Sequence, residues 1–207
     1  MTSLPRPTYR VFETMRATCE RHGLIEPLNV VVAAVSGGVD SMMLLAFLLD
    51  YLDRRLFYLV AFHLHHMIRG EDADLDEQLV ERFCLEHAVP YVSVRRDIPK
   101  MADDAGVSVE TMGRRVRREE LRRVGEEYAA MTPDATDVRI ATGHHMDDRA
   151  ESIVMHLGRG AGTAGAVGMR YRDGAFIHPA LDCRRDALVA AAQAMDLPWR
   201  DDTTNAS

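Results

Sequence analysis

Residues Asn29–Val35 form an unbroken, largely β-branched apolar run, and the chain passes at once into Ser36-Gly37-Gly38-Val39-Asp40-Ser41. A strand that is apolar on both faces belongs inside a parallel sheet, where both faces are covered. The glycine pair turns the chain, and Asp40 to Tyr51 then reads as a helix. A buried strand, a tight turn and an apolar helix in direct succession imply an α/β fold.

The same alternation runs through the rest of the chain. Residues 9–22 are helix-like and lead through Gly23 and Pro27 into the first strand. Phe57–His63 is a second apolar strand, His65–Gly70 a polar loop, and Asp74–His87 an amphipathic helix. Tyr91–Val94 follows Pro90 as a third strand, and a loop rich in Asp and Gly leads to a helix from Val109 to Ala130. Val138–Thr142 reads as a fourth strand, with a helix beginning near Met146. Five glycines among residues 158–168 mark an irregular loop. Phe176–His178 is a short fifth strand and Arg184–Met195 a closing helix. The expected fold is a doubly wound, mostly parallel five-stranded sheet with helices on both faces.

A length of 207 residues, 47% of them hydrophobic and 28% charged, suits one globular domain. The longest apolar stretch, Met42–Leu49, has eight residues, whereas a membrane-spanning helix needs about 20. The N-terminus, with Pro5, Pro7 and Glu13, lacks the apolar core of a secretory signal. Cys19, Cys84 and Cys183 are odd in number, far apart and form no Cys-x-x-Cys pair. That usage points to a reducing cytoplasm and away from disulfides or cysteine-bound metal.

The hexapeptide at Ser36 carries the clearest chemistry. Two glycines let the backbone turn tightly and approach a ligand, while the amides that open the helix point outward as anion donors. Ser36 and Ser41 add hydroxyls. The lysine of the GxxxxGK[ST] loop is missing and the GxGxxG spacing is not met, so neither of those nucleotide motifs applies. Asp40 would repel a bare phosphate, but it makes sense if magnesium bridges its carboxylate to phosphate oxygens. The plainer alternative is a glycine turn with Asp40 as a helix N-terminal charge.

Charge is unevenly spread. Arg114–Arg123 contains six arginines and two glutamates, so this segment carries +4 and the remainder −11 within a total of −7. Such a helix suits a phosphate backbone, or else it is a solvated face laced with Arg–Glu pairs. Lys100 is the single lysine. His63, His65, His66, His144 and His145 fall at the C-terminal ends of strands, where α/β sites open. A zinc cluster is one reading of them, since imidazole suits that ion. The other is nucleotide or base contact by His144 and a structural hydrogen bond from His63.

Ser-Gly-Gly-Val-Asp-Ser resembles the pyrophosphatase loop of the ATP-adenylating PP-loop superfamily, whose fold is of the adenine nucleotide alpha hydrolase type. Further segments resemble the tRNA(Ile)-lysidine synthetases within it. These are Phe62-His63-Leu64-His65-His66-Met67-Ile68-Arg69, the helix carrying Val109-Glu110, Arg114 and Arg117, and Ala141-Thr142-Gly143-His144-His145-Met146-Asp147-Asp148-Arg149-Ala150-Glu151-Ser152. Leu157-Gly158-Arg159-Gly160-Ala161-Gly162 with Gly168-Met169, and Asp201–Asn205, continue the likeness in order.

The resemblance implies an enzyme that uses ATP and magnesium to activate carbon 2 of the wobble cytidine of a minor tRNA(Ile). Free L-lysine then displaces AMP, forming a carbon–nitrogen bond. It assigns catalytic roles to Asp40, Arg114, Asp148 and Glu151, with Asp40 also the metal ligand. Nucleotide contacts fall to Ser36, Gly37, Gly38, Val39, Asp40, Ser41, His63 and His144. Substrate contacts fall to His66, Arg69, Glu110, Arg117, Asp147 and Arg159. The chemistry is reasonable for these residues: Asp148 and Glu151 share a helix face and paired carboxylates raise one another's pKa, while Arg114 and Arg117 can stabilise an adenylate or an RNA phosphate.

Arg149 stands where the family usually has Gln, and Arg118 where it has an aromatic residue. The resemblance also implies a tRNA-gripping region after Ser207, so that residues of about 28–182 form the core and 183–207 a closing helix leading onward. Without such a region the chain is a catalytic core whose tRNA binding depends on another chain, or a non-catalytic nucleotide-binding module. A PP-loop tRNA thiolase is a further alternative, though its relatives carry clustered cysteines. A homodimer is compatible with the sequence.

Overall fold

The computed structural model describes residues 4–68, 70–158 and 168–201. The chain runs α1 (Arg6–His22), β1 (Val30–Ala34), α2 (Val39–Arg55), β2 (Tyr58–His65), α3 (Glu71–Glu86), β3 (Tyr91–Arg95), α4 (Ile98–Ala105), α5 (Val109–Met131), β4 (Val138–Ala141), α6 (Met146–Gly158), β5 (Arg172–Asp173), β6 (Phe176–Ile177) and α7 (Arg185–Ala194).

The sheet has six strands in the order β3-β2-β1-β4-β6-β5, one more than the sequence indicates. All neighbours are parallel except β5, which pairs antiparallel with β6 through Arg172–Ile177 and Asp173–Phe176. Strand β5 is two charged residues at the sheet edge, too short and too polar to leave a hydrophobic pattern. Its hairpin turns on Gly174, whose φ of 59° favours glycine.

Strand β1 sits at the centre because both of its edges are used, Val32 pairing with Val60 on one side and with Ile140 on the other. Its side chains alternate between two cores. Val31 and Ala33 pack with residues of α1, α2, α3 and α7, whereas Val30 and Val32 pack with α4 and α5. The apolar run at residues 30–35 is therefore buried on both faces, as its composition requires. Gly125 lets α5 lie close over this sheet, since a Cβ there would come 2.5 Å from Val138 Cγ1 and 3.3 Å from Val32 Cγ2. Leu188, Ala191 and Ala192 of α7 and Val11, Phe12 and Met15 of α1 belong to one continuous core with α2.

One helix was hidden in what reads as a loop. Helix α4 begins where the Asp97 carboxylate accepts from the Lys100 amide at 3.0 Å, with Pro99 in its first turn, and ends at Gly106 in the left-handed region. The Asp and Gly residues that suggested irregular structure are its caps and exposed face, while Ile98 and Ala102 anchor it. Among the described residues no helix is long and apolar enough to cross a membrane.

The chain leaves β1 toward β2 and β3 on one side, and later returns to β4 on the other. The loops after β1 and β4 therefore diverge, and a crevice opens between them at the C-terminal edge of the sheet. The hexapeptide lies there.

Candidate active site

Gly37 has a φ of 94°, a value that favours glycine, and it is buried. Ser41 holds the turn from within: its Oγ accepts the Ser36 amide at 3.1 Å and donates to the Gly38 carbonyl at 2.9 Å. Since that uses its one hydroxyl hydrogen, Ser36 is the donor in the 3.2 Å contact between the two hydroxyls. The two serines thus brace the loop from within. Gly38 caps α2 with no side-chain hydrogen bond to the first-turn amides. Its φ is −73°, and a Cβ would meet nothing nearer than Ser36 Oγ at 3.6 Å. Nothing in the fold around Gly38 demands glycine there, and the position offers room for close approach of a ligand.

Asp40, in the first turn of α2, has one buried carboxylate oxygen, Oδ1, without a hydrogen-bond partner among the described residues. Its Oδ2 lies 3.7 Å from His145 Nε2 and 3.8 Å from Arg185 Nε. Burial pushes the carboxyl above its ordinary range, and His145 and Arg185 pull it back. A carboxylate oxygen buried beside an anion cradle and left without a proton donor is suited to a divalent cation.

The loop after β4 closes the other wall. The Asp148 carboxylate accepts the His145 amide at 2.8 Å, and the Asp148 amide approaches His145 Nδ1 at 3.4 Å. His145 Nδ1 also lies 3.4 Å from Asp148 Oδ2 and 3.7 Å from Asp147 Oδ2, while its Nε2 faces Asp40, so the ring links the carboxylates of the two walls. Asp147 accepts the Arg185 amide at 2.7 Å, which holds its carboxyl below the ordinary range. Gly143 permits this contact between walls: a Cβ there would lie 2.9 Å from both the carbonyl carbon and oxygen of Asp40, and 3.1 Å from the Ser41 amide. Glu151 follows one turn later, exposed.

Thr142 Oγ1 lies 2.7 Å from His144 Nδ1 and 2.7 Å from His178 Nδ1. Loss of solvation pushes His178 down to about 4 and His144 in the same direction, so both rings are neutral at neutral pH. The charges of Arg117 and Arg114 on α5 add to the effect at His144, which places that helix along the same side of the crevice. Arg117 donates to His66 Nε2 at 3.0 Å, and Gly113 leaves room for the His66 ring. Arg114 and Glu110 are exposed and 3.8 Å apart.

His63 is buried beneath the loop, and its Nδ1 bonds the Val35 carbonyl at 2.9 Å. That bond supports the root of the loop, the structural role expected of His63. His65 lies near Asp74 and Glu77, a set whose ligand atoms all fall within 4.8 Å. However, His65 Nδ1 accepts the Met67 amide at 3.2 Å, and Nε2 lies 3.3 Å from Asp74 without a hydrogen bond among the described residues. The cation in this cluster is the Arg95 guanidinium, 2.9 Å from Asp74 and also paired with Glu77. Arg69, Arg159, the segment Gly160-Ala161-Gly162 and residues 202–205 lie outside the described residues.

The two departures have structural partners. Arg149 donates to the Tyr171 hydroxyl at 2.9 Å, which itself donates to Asp182 at 2.7 Å. Arg118 lies over the Phe176 ring at 4.0 Å and pairs with Asp173 at 3.5 Å. Arg185 and His178 were not singled out in the sequence. A signal for Arg185 was present, because two arginines at the start of a helix oppose its dipole and call for an acidic partner.

Residues 10–207 match the family model of the PP-loop domain. The chain belongs to the PP-loop family. Its curated relatives include proteins named tRNA(Ile)-lysidine synthase. The one from Clostridium acetobutylicum is 36% identical over 189 residues, 91% of this chain and 40% of that protein. The one from Geobacter sulfurreducens is 35% identical over 201 residues, 96% of this chain and 41% of that protein. The one from Chlorobaculum tepidum is 35% identical over 185 residues, 89% of this chain and 54% of that protein. The chain thus spans about two fifths to one half of their length. Two solved structures share the fold. The U34-tRNA thiolase NcsA from Methanococcus maripaludis, with its [4Fe-4S] cluster, superposes with a TM-score of 0.74 at 20% identity, over 94% of this chain and 66% of that one. The NH3-dependent NAD synthetase from Campylobacter jejuni gives 0.56 at 17% identity, over 92% and 74%. The sheet-and-helix arrangement expected from the sequence is shared with both.

Proposed function

We propose that this PP-loop domain binds ATP with magnesium and ligates free lysine to carbon 2 of the wobble cytidine of a tRNA(Ile). The observation that carries the reading is the buried Asp40 Oδ1, without a hydrogen-bond partner among the described residues, beside a loop whose Gly38 the fold does not explain. The similarity to proteins named tRNA(Ile)-lysidine synthase over nine tenths of the chain supports the choice of substrate. Asp40 would hold the magnesium, which neutralises charge on the phosphate chain when bound.

In this reading the loop amides of residues 37–41 hold the phosphates, and Arg114 steadies the charge that builds on the α-phosphate. The cytidine oxygen attacks that phosphorus, the α–β bond breaks and pyrophosphate leaves. The lysine ε-amine then attacks carbon 2, and the carbon–oxygen bond breaks to release AMP. Asp147, kept anionic by the Arg185 amide, attracts the lysine ammonium, while Asp148 and Glu151 accept the proton that the amine must lose. In this reading His66, Glu110 and Arg117 are substrate contacts, as are Arg69 and Arg159 outside the described residues, and His144 contacts nucleotide or base. The three cysteines are buried, and burial raises their thiols to about 12, 11 and 12 for Cys19, Cys84 and Cys183. They are poor thiolates, which disfavours a thiolation chemistry that works through a reactive cysteine.

The test is release of pyrophosphate from ATP with tRNA(Ile) and lysine varied separately. Multiple turnovers that need both are expected. Sustained turnover without lysine would remove lysine ligation from consideration, and ATP binding with no turnover would leave a nucleotide-binding module.

Helix α5 bears on the RNA. Arg115 pairs with Glu119 and Arg123 with Glu120 and Glu127 at 2.7–2.9 Å, whereas Arg114 is 79% exposed and only loosely paired. RNA affinity should therefore fall as salt rises, and replacing Arg114 or Arg117 by alanine should each flatten the log–log slope by about 0.7–0.9. A salt profile unchanged in either variant would remove that arginine from the RNA contact.

A further inference from the structure

After α7 the chain packs Leu197 into the core and returns to the phosphate loop. There the main-chain N–H of Arg200 donates to the Gly37 carbonyl at 3.0 Å. The Arg200 guanidinium reaches across to α3, with Nε 2.9 Å from Asp76 Oδ1 and Nη2 2.9 Å from Asp72 Oδ1. Asp72 and Asp76 are one helical turn apart and share a face. The backbone and Cβ of Asp76 also lie 3.4–3.5 Å from where a side chain on Gly37 would begin. The loop, α3 and the returning segment therefore meet at one peptide unit.

We propose that Arg200 is a positioning residue that sets the orientation of the Gly37–Gly38 peptide and thereby the grip of the loop on a phosphate chain. The inference rests on the reading of the loop as the ATP site. A trans peptide is planar, with its C=O and N–H pointing in opposite directions. Holding the Gly37 oxygen on the Arg200 amide turns the Gly38 N–H away from Arg200, to the side where the first-turn amides of α2 begin. With the opposite orientation the loop would present a carbonyl oxygen to a phosphate, and the two would repel. Gly37, with its φ of 94°, has no side chain to resist such a rotation, so the restraint must come from its partners. The two α3 carboxylates stand at the edge of the proposed anion site, and the Arg200 guanidinium offsets part of their charge while tying the segment down.

The guanidinium acts through the backbone bond, so removing it loosens the loop without touching any ligand atom. Binding of Mg·ATP and of magnesium pyrophosphate to the full chain is measured by calorimetry for the unaltered protein, Arg200→Ala, Arg200→Lys, Asp76→Asn and the Arg200→Ala/Asp76→Asn double variant. The expected result is about tenfold weaker binding of both ligands by Arg200→Ala, within the usual range for coupled sites. Arg200→Lys should recover part of the loss, and the double variant should be no weaker than the sum of its parts predicts. Pyrophosphate release at saturating ATP should change far less than the affinity. Unaltered affinity in Arg200→Ala beside a binding-competent parent would overturn the inference and leave the loop reading intact. An equal loss of melting temperature and maximal rate with no loss of affinity would also overturn it, as a general structural role. Failure of the parent itself to bind either ligand would overturn the loop reading, and this inference with it.

Discussion

Asp40→Asn is expected to keep the fold and to lower magnesium-dependent pyrophosphate release by about 10³-fold, the scale of removing a group that organises transition-state charge. The amide matches the carboxylate in size, so the crevice keeps its shape. What disappears is the negative charge on a buried oxygen that has no hydrogen-bond partner among the described residues. The folding side of the balance goes the other way. Asp40 has a folded-state pKa above its unfolded value, so its contribution to stability is complete below the unfolded pKa and is lost as pH rises through the folded one. At neutral pH the ionised side chain is therefore a burden to the folded state, and a neutral amide removes that burden. The helix-dipole benefit lost with the charge is about 0.3–1 kcal/mol. Thermal unfolding at pH 7 should show a variant as stable as the parent, or more so, although it turns over far more slowly. Unchanged rates across a magnesium titration would show that Asp40 does not act through the cation.

Gly143→Ala should lower both activity and stability, for a reason located between the two walls of the crevice. The added methyl would sit 2.9 Å from the Asp40 carbonyl carbon and oxygen and 3.1 Å from the Ser41 amide. All three are main-chain atoms, so no rotamer change relieves the contact, and the start of α2 must move away from the β4–α6 loop. Such overpacking costs about 1–3 kcal/mol. The movement also separates Asp40 from His145, Asp147 and Asp148, and displacement of about 1 Å at a reacting centre costs about 10² in rate. Pyrophosphate release and urea unfolding measured on the same preparation test both. A variant with normal kinetics would show that the walls need not touch for the chemistry to proceed.

Several parts of this site can be read along the chain because they are local. The strand, turn and helix from Asn29 to Tyr51 are written in composition and glycine placement, and the helix opening at Met146 brings Asp147 and Asp148 to its first turn by spacing alone. The basic surface of α5 follows from arginine density. Other expectations needed packing to decide them. His63 makes the structural hydrogen bond expected of it, to the Val35 carbonyl, whereas the surroundings of His65, 3.3 Å from Asp74 and beside Arg95, are set by α3 and β3 and leave no pattern along the chain. Helix α4 escaped notice because its caps are residues that also make loops, and β5 because two residues carry no period.

Order along the chain determined the parallel α/β framework, since a backbone buried on both faces must pair within a sheet, and it determined that one glycine turn would face the crevice where the strand order reverses. Which groups meet the turn was settled only by the tertiary structure. Arg200 and Asp76 are separated by 124 residues, and Arg185 and Asp147 by 38, yet each pair shares hydrogen bonds beside the loop. Contacts between distant residues depend on how helices seat on the sheet, which side-chain volume decides across the whole core and no local pattern records.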